Sequence, residues 1–138
     1  MNQRLLSHFQ GLSVKTYQVE KLFSGGAFFL NRPVTGGLWM HDNYNDANYY
    51  AKWGKPSDPQ LKCVVLETEP VKHLNLIEFL GNHVSILQSI YQGAWTHIQF
   101  HRDLDDIHKS GLIEFDGFFR PRSDEYRILN VEKNLIFI

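Results

Sequence analysis

The sequence has only one cysteine, Cys63, so no disulfide can form within it and the disulfide-stapled scaffolds are excluded. Cys63 sits in the apolar run Cys63-Val64-Val65-Leu66 and is expected to be a small buried hydrophobe. An excess of one charge is also missing. Fourteen Lys and Arg against fifteen Asp and Glu leave a formal net charge of −1, which gives no basic field to attract nucleic acid. No stretch approaches the roughly 20 apolar residues of a bilayer-spanning helix. Residues Met1–His8 lack the apolar segment of a secretory leader. The expected location is therefore a cytoplasm, or a target cell reached without a recognisable signal, and no membrane partner is expected. Gly-rich phosphate loops of the Rossmann and Walker types are absent, as are internal repeats and low-complexity segments.

What is present suits one folded domain over residues 1–138. The 138 residues are 43% hydrophobic, enough apolar surface to offset chain entropy. Ten Phe, six Tyr and three Trp fit either a flat-ring ligand or an aromatic core.

Gly and Pro cluster at Ser24–Gly26, Pro33–Gly37 and Gly54–Pro59, which read as loops. Ser13–Val19 alternates like a strand, and Ala27–Leu30 and Gly37–Met40 are short apolar runs. Asn45–Trp53 has helical spacing, with Asn43 or Asn45 as cap and Gly54 and Pro56 as stops. Leu61–Leu66 reads as a strand buried on both faces. Leu76–Gln92 reads as one amphipathic helix, weakened by Gly81. Thr96–Phe100 alternates like a strand, and Leu104–Lys109 predicts a short helix closed by Gly111. Gly117–Phe119, Glu125–Leu129 and Leu135–Ile138 complete the pattern as short strands. The order lacks βαβ alternation, so the class is α+β rather than doubly wound.

Two blocks carry a family resemblance. One is Gly37-Leu38-Trp39-Met40-His41-Asp42 with Asp46-Ala47-Asn48-Tyr49-Tyr50. The other is Asp124-Glu125-Tyr126-Arg127-Ile128-Leu129 with Asn134-Leu135-Ile136-Phe137. In this order they resemble the ADP-ribosyltransferase superfamily, above all the catalytic domain of its poly(ADP-ribose) polymerase branch. There a glycine-led aromatic strand precedes a helix with an Ala-Asn-Tyr-like triplet, and a later strand opens on the catalytic glutamate. Leu61–Leu66 with Glu67 is similar to the family's central strand. Asp116-Gly117 resembles a pair found before the glutamate in small bacterial and phage members. The likeness spans residues 37–138.

The resemblance implies two small, mainly antiparallel sheets around an NAD cleft with flanking helices. It implies NAD as co-substrate, no metal, and transfer of ADP-ribose to a macromolecular acceptor, more readily a protein than a nucleic acid. A toxin, effector or host-disabling factor fits such a small member. Displacement at the anomeric carbon passes through an oxocarbenium-like state, which a carboxylate stabilises while bonding the ribose 2′-hydroxyl. Glu125 is the candidate, with Asp124 pointing to the opposite face of the strand. Trp39 and Tyr49 are implied to stack the nicotinamide cation, with Tyr50 the rival if the helix is rotated by one residue. The family's first-strand His or Arg has two candidates, His8 and Gln18. The serine-rich motif of arginine-modifying relatives is missing, and His41 stands there instead, as a contact for phosphate or acceptor.

Other constellations remain open. His97 and His101, four apart, would share a helix face and hold zinc with Asp105, but a strand would separate them. A histidine-dependent ribonuclease would need two histidines converging with a cation. Arg120, Arg122 and Arg127 could grip a pyrophosphate or form a solvated edge. A module that binds NAD or ADP-ribose without turnover is a further alternative.

Overall fold

The computed structural model describes residues 1–78, 83–93, 96–121 and 123–138. The first element is a helix, α1 (Gln3–Gln10), capped by the Asn2 side chain, which accepts from the Leu5 amide at 3.0 Å. Strands β1 (Val14–Tyr17), β2 (Leu22–Phe29) and β3 (Leu38–His41) follow, then α2 (Tyr44–Trp53). Strands β4 (Leu61–Pro70) and β5 (Leu74–Glu78) precede two helices, α3 (His83–Ile90) and α4 (His97–Ser110). The remainder is β6 (Gly117–Arg120), β7 (Glu125–Ile128), α5 (Val131–Asn134) and β8 (Leu135–Phe137).

The class is α+β, but the two expected sheets are one. Eight strands run in the order β1-β5-β6-β7-β3-β2-β4-β8, all pairs antiparallel except β5 with β6. Its two parts are nevertheless barely joined. Strands β2 and β3 share a single register pair, Phe23 with His41, whereas β2 and β4 share eight.

Side-chain alternation sends the apolar residues of β3, β5, β6 and β7 to both faces. On one face Ile77 and Phe118 pack with Leu5, Leu6 and Phe9 of α1, Leu87 of α3, and Phe100, Leu104 and Ile107 of α4. On the other, Met40, Leu74, Leu76, Tyr126 and Ile128 pack with Val131 of α5 and Leu135. Asp116-Gly117 knits this centre together. The Asp116 carboxylate accepts from the Asn75 amide at 2.8 Å and pairs with Lys72 at 3.3 Å. A Cβ on Gly117 would lie 1.9 Å from the Arg127 carbonyl oxygen.

Several sequence expectations are corrected. The Leu76–Gln92 helix is a strand and a separate helix: Leu76 and Ile77 are both buried because they serve opposite faces, which mimics helical spacing. The Leu80 and Gly81 part of that expectation lies outside the described residues. Thr96–Phe100 is not a strand. The Thr96 hydroxyl caps α4 by accepting from the Gln99 amide at 3.2 Å, and Phe100, Leu104 and Ile107 form its buried stripe. Gly111 ends that helix in the left-handed region, at φ 71°. Ser24–Gly26 is not a loop but the middle of β2. Leu61–Leu66 is only partly covered and Cys63 is exposed, because α2 stops at Gly54, whose carbonyl receives the Cys63 thiol at 3.4 Å.

Gly25 sets how closely α2 lies on β2. A Cβ there would fall 1.6 Å from the Ala47 carbonyl oxygen, inside the helix backbone, while one on Gly26 meets only ordinary contact at 3.6 Å. Urea denaturation should therefore show Gly25→Ala destabilised by about 3 kcal/mol, the upper end of overpacking costs. Gly26→Ala should be near neutral, and equal losses in the two variants would refute the close packing of α2.

Tyr126 gives a second expectation. Burial foremost, then the Asp42 and Asp124 carboxylates, push its phenol from 10.0 up to about 12. The folded chain holds that proton more tightly than the unfolded chain. This contribution to stability is thus complete below pH 10.0 and is lost as pH rises to about 12. Over that interval the urea midpoint of Tyr126→Phe should decline less steeply than that of the native chain. Parallel declines would remove Tyr126 from the alkaline transition.

Candidate active site

Three neighbouring strands set a polar row across one face of the sheet. Arg120 on β6 pairs in register with Glu125 on β7, and Glu125 pairs with His41 on β3. Two residues along, Phe118, Arg127 and Trp39 form the next row on the same face. That second row runs into the core beneath α4, while the first borders the seam between β3 and β2. There a cavity of about 550 Å³ opens, lined by Gly25, Trp39, His41, Tyr50, Arg120 and Glu125.

Each wall follows from its local sequence. Helix α2 starts at Asn43, whose side chain accepts from the Asp46 amide at 2.9 Å. Ala47 and Ala51 turn onto β2 as its buried positions. Tyr50 then flanks the cleft, stacked on His41 with ring centres 5.2 Å apart and planes 17° from parallel. Tyr49 is carried about 100° further round the helix. It is 59% exposed, meets Tyr50 edge-on at 5.6 Å and does not line the cavity. Of the two tyrosines it is therefore Tyr50, and not Tyr49, that lines the cavity.

Trp39 meets Phe118 and His101 edge-on at 5.3 and 5.7 Å, and the Arg120 and Arg127 guanidinium carbons lie 5.8 and 5.7 Å from its centre. Two guanidiniums beside this ring suit an anionic neighbour better than a second cation. Glu125 is held by Arg120 at 3.4 Å, a long and partly exposed pairing. Burial, and after it the Glu125 carboxylate, raises the Tyr50 phenol above its ordinary range. Burial also lowers Arg127, opposed by Asp105, and the buried Arg127 Nε has no hydrogen-bond partner among the described residues. His41 is only 5% exposed, and its Nδ1 likewise lacks a partner.

Neither first-strand candidate reaches this cavity. His8 belongs to a helix, not a strand, because Leu5, Leu6 and Phe9 form a buried helical stripe. It lines a separate space of about 300 Å³ with Lys15, Glu78 and others, and burial lowers its pKa. Gln18 lies in the connection between β1 and β2 and is not among the lining residues. Strand β3 lies between β7 and β2, and β2 brings Gly25 to the lining. The Ser24 hydroxyl donates to the Trp39 carbonyl at 2.8 Å.

Sequence reading missed Gly25 as a lining residue. The Ser24-Gly25-Gly26 cluster was its signal, since glycine inside a strand marks close approach of another backbone. Among the described residues no group of three His, Cys, Asp or Glu is placed to hold a metal ion. The zinc pair rested partly on the His97 side chain, outside the described residues, as is Arg122. No described helix is long and apolar enough to cross a membrane. No family model matches this chain, and no curated protein or solved structure does either.

Burying Arg127 without a hydrogen-bonded carboxylate costs stability, and apolar replacements of such charges are often stabilising. Arg127→Met should raise unfolding free energy by about 1 kcal/mol. Urea denaturation checks this. A clear loss of stability would make Arg127 a structural group instead.

Proposed function

We propose that this chain splits NAD at the nicotinamide ribose and passes the ADP-ribose to an acceptor, as an ADP-ribosyltransferase. The observation that carries this reading is that Glu125, Trp39 and Tyr50 share one cavity, with two arginines on the same face. Glu125 opens its strand and faces the cleft, where it can bond the 2′-hydroxyl and offset the charge that develops as nicotinamide leaves. Tyr50 offers the ring face for the nicotinamide cation. Trp39, flanked by Arg120 and Arg127, better suits the pyrophosphate side. Arg120 can move from Glu125 to a phosphate at little cost, since a partly exposed pair contributes at most about 1 kcal/mol.

Binding without turnover has one observation in its favour: neither His8 nor Gln18, the first-strand candidates, lines the cavity. The ribonuclease reading needs two converging histidines. Among the described residues His41 is the one histidine in the lining. A role as toxin or effector rests on the resemblance alone.

Incubation with NAD should release nicotinamide, quantified by chromatography. Glu125→Gln should slow release by about 10²–10³-fold, the scale for one group that stabilises developing charge. NAD bound but never cleaved would favour the binding module. Cleavage undiminished in Glu125→Gln would remove the carboxylate from the chemistry.

A further inference from the structure

We infer that the acceptor is a neutral hydroxyl of the serine type, presented by a protein, and that His41 takes its proton. This deepens the NAD reading and rests on it. A carboxylate acceptor arrives already deprotonated and asks nothing of the site. A guanidinium acceptor would arrive as a second cation beside Arg120, whose charge Glu125 already meets, and would need a second carboxylate to receive it. Among the described residues Glu125 is the one carboxylate in the lining. Asp124 is in the left-handed region at φ 49°, and its charge acts on Tyr126, on the opposite face. A hydroxyl is neutral and a weak nucleophile until a base removes its proton. The balanced charge of the whole chain favours a protein over a nucleic acid as its carrier.

His41 is placed to be that base. It lies directly opposite Glu125 in the β3–β7 register, and Tyr50 fixes its ring plane. No hydrogen bond to a protein group occupies either ring nitrogen among the described residues. Nδ1 is the sealed one, which leaves Nε2 as the nitrogen at the cavity wall. A base kept in the wall without an internal partner is open to one from a substrate. In the step, the bond from the ribose anomeric carbon to nicotinamide breaks and its electron pair leaves with nicotinamide. The acceptor oxygen bonds to that carbon, and its proton passes to His41 Nε2, which later returns it to solvent.

Methanol, methylguanidine and acetate probe the three acceptor classes without requiring a docking surface. With NAD and each probe, mass spectrometry should find methyl ADP-ribose in excess over the guanidine and acetyl adducts. His41→Ala should slow methanol transfer by about 100-fold at saturating NAD, and added imidazole should restore part of it. His41→Gln, which keeps a polar side chain but no base, should be as slow and not rescued. It also decides the matter if His41→Ala fails to fold. In a mixture of a peptide library and RNA, labelled NAD should mark peptide serine. Preference for acetate or methylguanidine, label in RNA, or an undiminished His41→Gln overturns the inference while leaving NAD cleavage standing. Failure of the native chain to release nicotinamide overturns both.

Discussion

The site exists because β2 and β3 meet at one residue pair and then part. Had they continued as a full ladder, the space between them would close and the polar row on β6, β7 and β3 would lie under backbone. Two features flank the junction. Ser24 turns its hydroxyl to the Trp39 carbonyl, and Gly25 gives up a side chain so that the backbone of α2 can rest on β2. The helix is thereby fixed to one side of the seam while the row belongs to the other. Tyr50 from the first side and His41 from the second close the gap by stacking. The expectation of two sheets thus failed in the hydrogen-bond ladder but described a real discontinuity.

The row itself is poor material for stability. Ile77 and Phe118 show what that face does elsewhere: it buries apolar side chains beneath helices. Arg127 occupies a site equivalent to theirs, one strand over, and loses hydration without a hydrogen-bonded counter-ion. His41 buries Nδ1 without a hydrogen-bond partner among the described residues. Groups that penalise folding in this way cluster where a ligand supplies the missing partners. By contrast, the buried Asp103 receives Tyr91, Gln99 and Asn2 side chains at 2.6, 3.0 and 3.4 Å and simply ties α1 to α4. Burial of a charged side chain therefore does not separate the two cases. Missing partners do.

This distinction explains what the sequence allowed to be read. Short-range devices were legible: Asn43 before α2, Gly111 after α4, and the alternation of β1, β6 and β7 all act within a few residues. Glu125 and Trp39 were legible because each sits in a local pattern, a strand start and a glycine-led strand. What depended on distant partners was not. Leu76 and Ile77 read as helical until two layers were known to cover them. His8 looked like a strand end because the helix that holds it is stabilised by α4, nearly a hundred residues away. Tyr49 and Tyr50 are separated only by how α2 is rotated on Gly25, and that is a tertiary contact.

The charges around the cavity bear on its ligand. Arg120 and Glu125 line it and pair with each other, while Arg127 stands in the neighbouring row of the same face, with Asp105 acting on it, so a phosphate finds guanidiniums there only by drawing Arg120 from its carboxylate. A nicotinamide cation enters such a place only if it is tethered to phosphates that more than repay its approach, as it is in NAD. In the proposed reaction nicotinamide would become neutral and lose that tether once the glycosidic bond breaks, while the ADP-ribose would keep its phosphates near Arg120. Under that proposal the same electrostatics would admit the whole dinucleotide and favour departure of one fragment and retention of the other. Glu125, the one carboxylate in the lining among the described residues, would complete an asymmetry that a simple nucleotide-binding pocket does not need.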